Sequence, residues 1–168
     1  EVEKLLALDG AGQRLMPLEI GSCSSPHAKE ALRGKSAGEL FPQSYAPEAA
    51  LSGLWLYFSC FDEAHTIAQD IPTSDGSYWH AILHRQEPDA GNSAYWFRRV
   101  GPHPVFPIIR EVAAGLGFAW DPFAFIDFCE EARRKPGSEQ ERIALGIQRA
   151  EWQALFDYCA RPQIGATT

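Results

Sequence analysis

Apolar residues recur along this chain at intervals of three and four, and strict two-residue alternation hardly occurs, so the pattern predicts helices rather than strands. The strongest stretch runs from about Pro47 to Asp70, where Leu51, Leu54, Phe58 and Phe61 keep the spacing and Trp55 and Leu56 widen the buried stripe. Continuing that spacing lands on His65. The turn IPTSDG ends this helix, and a second is expected from about Ser77 to Gln86. Pro88 interrupts it, and Asp89 can cap a third over about Ala90 to Val100, with Gly101 as its stop. The segment GPHPVFP is expected to be irregular. A helix from near Pro107 to Leu116 then follows, with Ile108, Ile109, Val112 and Leu116 inward.

Caps place the remaining elements. Ser25 before Pro26 opens a short helix that Gly34 stops. Asp121 before Pro122 repeats the signal and starts a helix that buries Phe125, Ile126, Cys129 and Ala132. Ser138 and Glu141 form a capping box, and Leu145, Trp152, Phe156 and Cys159 mark one face of a long terminal helix. The expectation is an all-α fold: one compact single-domain bundle over residues 1–168, with about seven or eight helices and a motif-bearing region at 62–106.

Composition narrows the function classes. The 168 residues, 45% apolar and 12% aromatic, suit one domain with a real core. A formal charge of −7 opposes nucleic acid as a partner, since phosphate contacts need segregated basic surface. The basic clusters are Arg98 with Arg99 and the run Arg133, Arg134, Lys135, and the run suits a helix C-terminus. No stretch reaches the roughly 18 to 20 apolar residues of a membrane span, and the first residues lack the pattern of a signal peptide. Cys23, Cys60, Cys129 and Cys159 show no C-x-x-C spacing and read as reduced, buried thiols, so the expected setting is a soluble cytoplasmic protein.

Candidate chemistry concentrates between Ser77 and Phe106, which holds three of the five histidines beside Trp79, Trp96, Tyr78 and Tyr95. His80 and His84 are four apart and Glu87 three further on, so on one helix the three side chains share a face. H-x-x-x-H lets two imidazoles reach a single ion, although the glutamate of the zincin motif is missing because Ala81 follows His80. A helical hairpin about a midpoint near Thr73 would set His65 opposite His80 and Asp62 opposite His84. His65, His80 and His84 are therefore candidate ligands for a divalent metal, zinc, iron or manganese. Alternatively, His80, His84, Glu87 and His103 are candidate acid and base groups tuned by neighbouring carboxylates.

On the next helix Asn92, Tyr95 or Trp96, and Arg99 fall to one side, with Arg98 displaced by about a hundred degrees. Together with Arg85 these are the candidate ligand-binding residues, because a guanidinium beside an aromatic ring suits a carboxylate or phosphate. The plainer alternative is a structural network in which the histidines bond within the core and Arg85 and Arg99 pair with Glu87 and Asp89.

The run YWHAILHRQEPDAGNSAYWFRRVGPHPVF resembles a block with the pattern YWHxxxHRxExDxxNxxYWFRRVGxHPxF in a family of uncharacterised bacterial and fungal proteins. The resemblance covers about a fifth of the chain. It implies that His80, His84, Arg85, Glu87, Asp89, Asn92, Tyr95, Trp96, Arg98, Arg99 and His103 belong to one unit, and it implies no reaction. Two functions compete: a small-molecule site for a polar or anionic ligand, with metal-assisted hydrolase or lyase chemistry, and a non-catalytic interaction or scaffold protein whose His/Arg/carboxylate motif only fixes helix packing.

Overall fold

Ten α-helices make up the fold in a computed structural model that describes residues 1–163; the expected limit at 168 lies outside the described residues. In chain order they are α1 (Val2–Leu6), α2 (Pro26–Leu32), α3 (Ala37–Leu40), α4 (Pro47–Tyr57), α5 (Phe61–Ala68), α6 (Ser74–Gln86), α7 (Ala90–Val100), α8 (Phe106–Gly115), α9 (Pro122–Arg133) and α10 (Glu139–Ala160), with a 3-10 segment at Ala7–Gly12. Among the described residues no strand forms, only an isolated bridge between Ser44 and Pro162. The caps act as their chemistry requires. The side chains of Ser25, Asp89, Asp121 and Ser138 accept hydrogen bonds from the first-turn amides of α2, α7, α9 and α10.

The helix count exceeds the expected seven or eight for three reasons. Two one-turn elements, α1 and α3, are too short to show a stripe. The stretch from Pro47 to Asp70 is two helices rather than one. Its break falls at Ser59, whose backbone turns left-handed (φ +56°), although no Gly or Pro marks the place. The carbonyls freed there are taken by the N-terminal segment: Ser24 N–H donates to Phe58 O at 2.7 Å and the Arg14 guanidinium donates to Tyr57 O at 2.5 Å. The same elbow corrects the cysteine reading. Cys23 and Cys60 form a disulfide across it, while Cys129 and Cys159 are free and buried as expected. The disulfide removes the argument that placed the chain in a reducing compartment; among the described residues no helix is long and apolar enough to cross a membrane.

Helix α6 is the axis of the fold. Every residue from Asp75 to Gln86 is buried, with α4, α5 and α7 packed around it. Gly53 on α4 allows the closest approach, since a Cβ there would lie 2.5 Å from Cζ2 of Trp79. The Gly53 carbonyl accepts the indole N–H of Trp152 from α10 at 2.8 Å, which ties three helices together at one backbone position. Helix α8 departs from its predicted facing. Phe106 and Ile109 are buried, but Ile108 and Val112 are exposed (54% and 39%), because Phe106 packs edge-on against Trp120 and sets the rotation of the helix.

Candidate functional site

Thr73 caps α6 and turns the chain back on α5, so the two helices form the antiparallel hairpin the spacing predicts. His65 then meets His80, with their Nε2 atoms 3.0 Å apart. One helical turn further on, His84 Nε2 lies 3.1 Å from His80 Nε2. One donor atom from each of the three rings lies within 4.8 Å of the others. Asp62 is exposed, and among the described residues His84 takes its polar contacts from His80 and Glu87 instead. The carboxylate on His84 is Glu87, whose Oε2 is 2.6 Å from Nδ1.

These distances constrain the protons. Each ring nitrogen has one in-plane site, either an N–H or a lone pair. The Glu87 carboxylate accepts, so His84 carries its proton on Nδ1 and directs a lone pair from Nε2 toward His80. His80 Nε2 faces that lone pair and also Nε2 of His65, and one N–H cannot bond well to both. Its other nitrogen, Nδ1, is buried without a partner. Protonating the rings does not resolve the crowding. Burial, then the neighbouring His84 and His65 rings, push His80 down to about 4, and burial followed by His84 lowers His65 as well. A neutral imidazole is the form that ligates a metal, and His65 and His80 are both biased toward it.

The surroundings are aromatic. Phe61 stacks on His65 (centroids 5.7 Å, 20°), and Trp96 of α7 lies against His80 with centroids 4.1 Å apart. The exposed Arg99 guanidinium sits 5.2 Å from the centroid of the Trp96 ring that packs on His80 and 5.9 Å from that of Tyr95, so the expected pairing of arginine with aromatic ring is present. His80 and His84 are themselves buried, and the cluster meets solvent through half-buried His65 and exposed Glu87.

The remaining predicted residues go elsewhere. Arg85 points away from the histidines into a fully buried pair with Glu151 of α10 (Nη2 to Oε2 2.5 Å), over the ring of Phe125. Its partner is therefore neither Glu87 nor Asp89. Tyr78 donates to the same carboxylate at 3.1 Å, and Gln148 joins Arg85 to Gln86. Asn92 is occupied in the α7 cap, bonding both oxygens of Asp89 at 3.0 Å. His103 is buried away from the other three, with Nε2 3.0 Å from Asp75 and Nδ1 accepting from the Val105 amide. Tyr95 and Arg98 are exposed.

Glu151, Gln148 and Asp75 carried no expectation, yet they complete these contacts. For Glu151 and Gln148 a signal exists: both fall on the apolar stripe of α10 between Ile147, Trp152 and Leu155, where a charged residue needs a buried partner. No protein-family model, curated protein or solved structure matches this chain.

Proposed function

We propose that His65, His80 and His84 bind one divalent metal ion and that this centre takes a small polar or anionic molecule for metal-assisted hydrolytic or lyase chemistry. The carrying observation is the convergence of three Nε2 atoms at 3.0 and 3.1 Å, with the tautomer of His84 set by Glu87. A cation between them would take the lone pairs of both His65 and His84, which a single His80 N–H cannot serve at once. A carboxylate holding the far nitrogen of a ligating histidine is the usual support of such a ligand. All-imidazole donation favours zinc or iron over manganese, which prefers oxygen.

Three protein ligands leave coordination open for water and a substrate oxygen, the arrangement by which catalytic zinc brings the pKa of a bound water to about 7. Arg99, held against Tyr95 and the Trp96 ring that packs on His80, is the guanidinium assigned to a substrate carboxylate or phosphate. Glu87, exposed at its edge, orients His84 through the contact of its Oε2 with Nδ1 at 2.6 Å. The scaffold reading retains one specific support, which concerns the other side of α6: the pairing of Arg85 with Glu151 is closed to any ligand.

Elemental mass spectrometry of protein purified without an affinity tag or chelator tests the proposal. Near-stoichiometric zinc or iron that is lost in both His80→Ala and His84→Ala is the expected result. Metal-free wild type that also fails to take up added metal would overturn it.

A further inference from the structure

Arg98 and His103 stand out in the sequence yet lie away from the three-histidine cluster, and the structure brings them to a second place. Gly101, at φ +64°, ends α7 and turns the chain into the Pro-His-Pro loop. There the C-terminus of α7 and the N-termini of α8 and α9 enclose a cleft of about 600 Å³. Phe97 and Phe106 form its buried floor, and Phe123, 42% exposed, forms a wall.

The polar lining is asymmetric. Arg98 and Arg110 both line the cleft, Arg110 lies over the Phe106 ring at 5.9 Å, and among the described residues neither has a carboxylate partner, a state they share with Arg99, Arg149 and Arg161 outside the cleft. The acid in the lining, Asp121, is turned onto its own helix, where one oxygen accepts from the amides of Phe123 and Ala124 at 2.9 and 3.1 Å. His103 is held by Asp75. Two unpaired guanidinium groups thus flank an aromatic floor on a chain whose formal charge is −7.

We propose that this cleft is a second ligand site, separate from the histidine cluster, for a small aromatic carboxylate. The ring lies against Phe97, Phe106 and Phe123, and the carboxylate is shared by Arg98 and Arg110. Apolar walls with a few convergent polar groups are the usual composition of a small-molecule site, and a guanidinium fork matches a carboxylate. The site needs no metal.

Isothermal titration calorimetry with 2-naphthoate, compared with uncharged 2-naphthamide, separates charge recognition from mere apolar adsorption. The wild type should bind the acid about tenfold more tightly than the amide, the size expected of charged hydrogen bonds. Arg98→Gln with Arg110→Gln should erase that preference. Phe123→Ala should weaken acid and amide alike. The pair Arg134→Gln with Lys135→Gln, which removes equal charge from the far end of α9, should change nothing. Equal affinity for acid and amide in the wild type, absence of saturable naphthoate binding, or an equal loss in the α9 control would overturn the proposal.

Discussion

His80 and Arg85 sit little more than one turn apart on the same buried helix, and their surroundings behave in opposite ways. On the Arg85 side the charges close on one another through both terminal nitrogens of the guanidinium, with Arg85 Nε left without a hydrogen-bond partner. Burial alone would lower the guanidinium pKa, but Glu151 more than offsets it and holds Arg85 charged, while burial and Glu151 keep the Tyr78 hydroxyl well above its usual range, as a donor. On the His80 side the groups converge without an opposite charge between them: three Nε2 atoms crowd together at 3.0 and 3.1 Å. A buried cluster whose opposite charges meet fixes packing, whereas one that turns imidazole nitrogens of like character toward one another suits an added cation.

The contrast can be broken first where the contacts are most complete. Glu151→Gln leaves Arg85 as an uncompensated buried charge and should cost about 3 to 5 kcal/mol in urea unfolding, while Arg85→Met combined with Glu151→Leu should recover most of that loss. A loss below about 1 kcal/mol for the single variant would show that the pair is not the buried lock described. Next comes the backbone approach that positions α6. Gly53→Ala drives a methyl into Trp79 and should cost about 1 to 3 kcal/mol, read as a lowered denaturant midpoint at unchanged slope. On the histidine side, His80→Leu in metal-free protein should shift stability by less than about 1 kcal/mol, since it removes a ring whose Nδ1 is unpartnered and whose Nε2 is divided between two neighbours.

Acid sharpens the same difference. In metal-free protein His80 is held at about 4 and His65 below its ordinary value, whereas the unfolded chain protonates histidine near 6.5. The unfolded state therefore binds more protons as the pH falls. Stability is fully present above about pH 6.5 and is lost toward about pH 4. Urea midpoints in chelator should drop between about pH 7.5 and about pH 5, and drop less in His80→Leu. The smallest effect is chemical: burial raises the Cys129 thiol to about 11 and pushes Cys159 higher still. Neither should react with a thiol reagent until the protein unfolds, and Cys23 and Cys60 only after reduction.

What the sequence reveals depends on how local the deciding contact is. His65 and His80 could be matched because a short turn near Thr73 sets the register of two adjacent helices, and caps such as Asp89 and Asp121 act within three residues. The role of Arg85 could not be read, because its partner lies 66 residues away on a helix whose order of packing no local pattern specifies. The elbow at Ser59 and the Cys23–Cys60 bridge share that property, since Arg14 and Ser24 from the N-terminal segment help hold them. Helix α3 was legible in principle through its Ser36/Glu39 capping box, but a single turn carries too little periodicity to stand out.

The most direct measurement is an anomalous difference map from a crystal grown with zinc and recorded at the zinc absorption edge. A single peak about 2.0 to 2.1 Å from Nε2 of each of His65, His80 and His84 is predicted. A map without a peak there, with the three rings turned apart and each nitrogen paired to protein or water, would contradict the account.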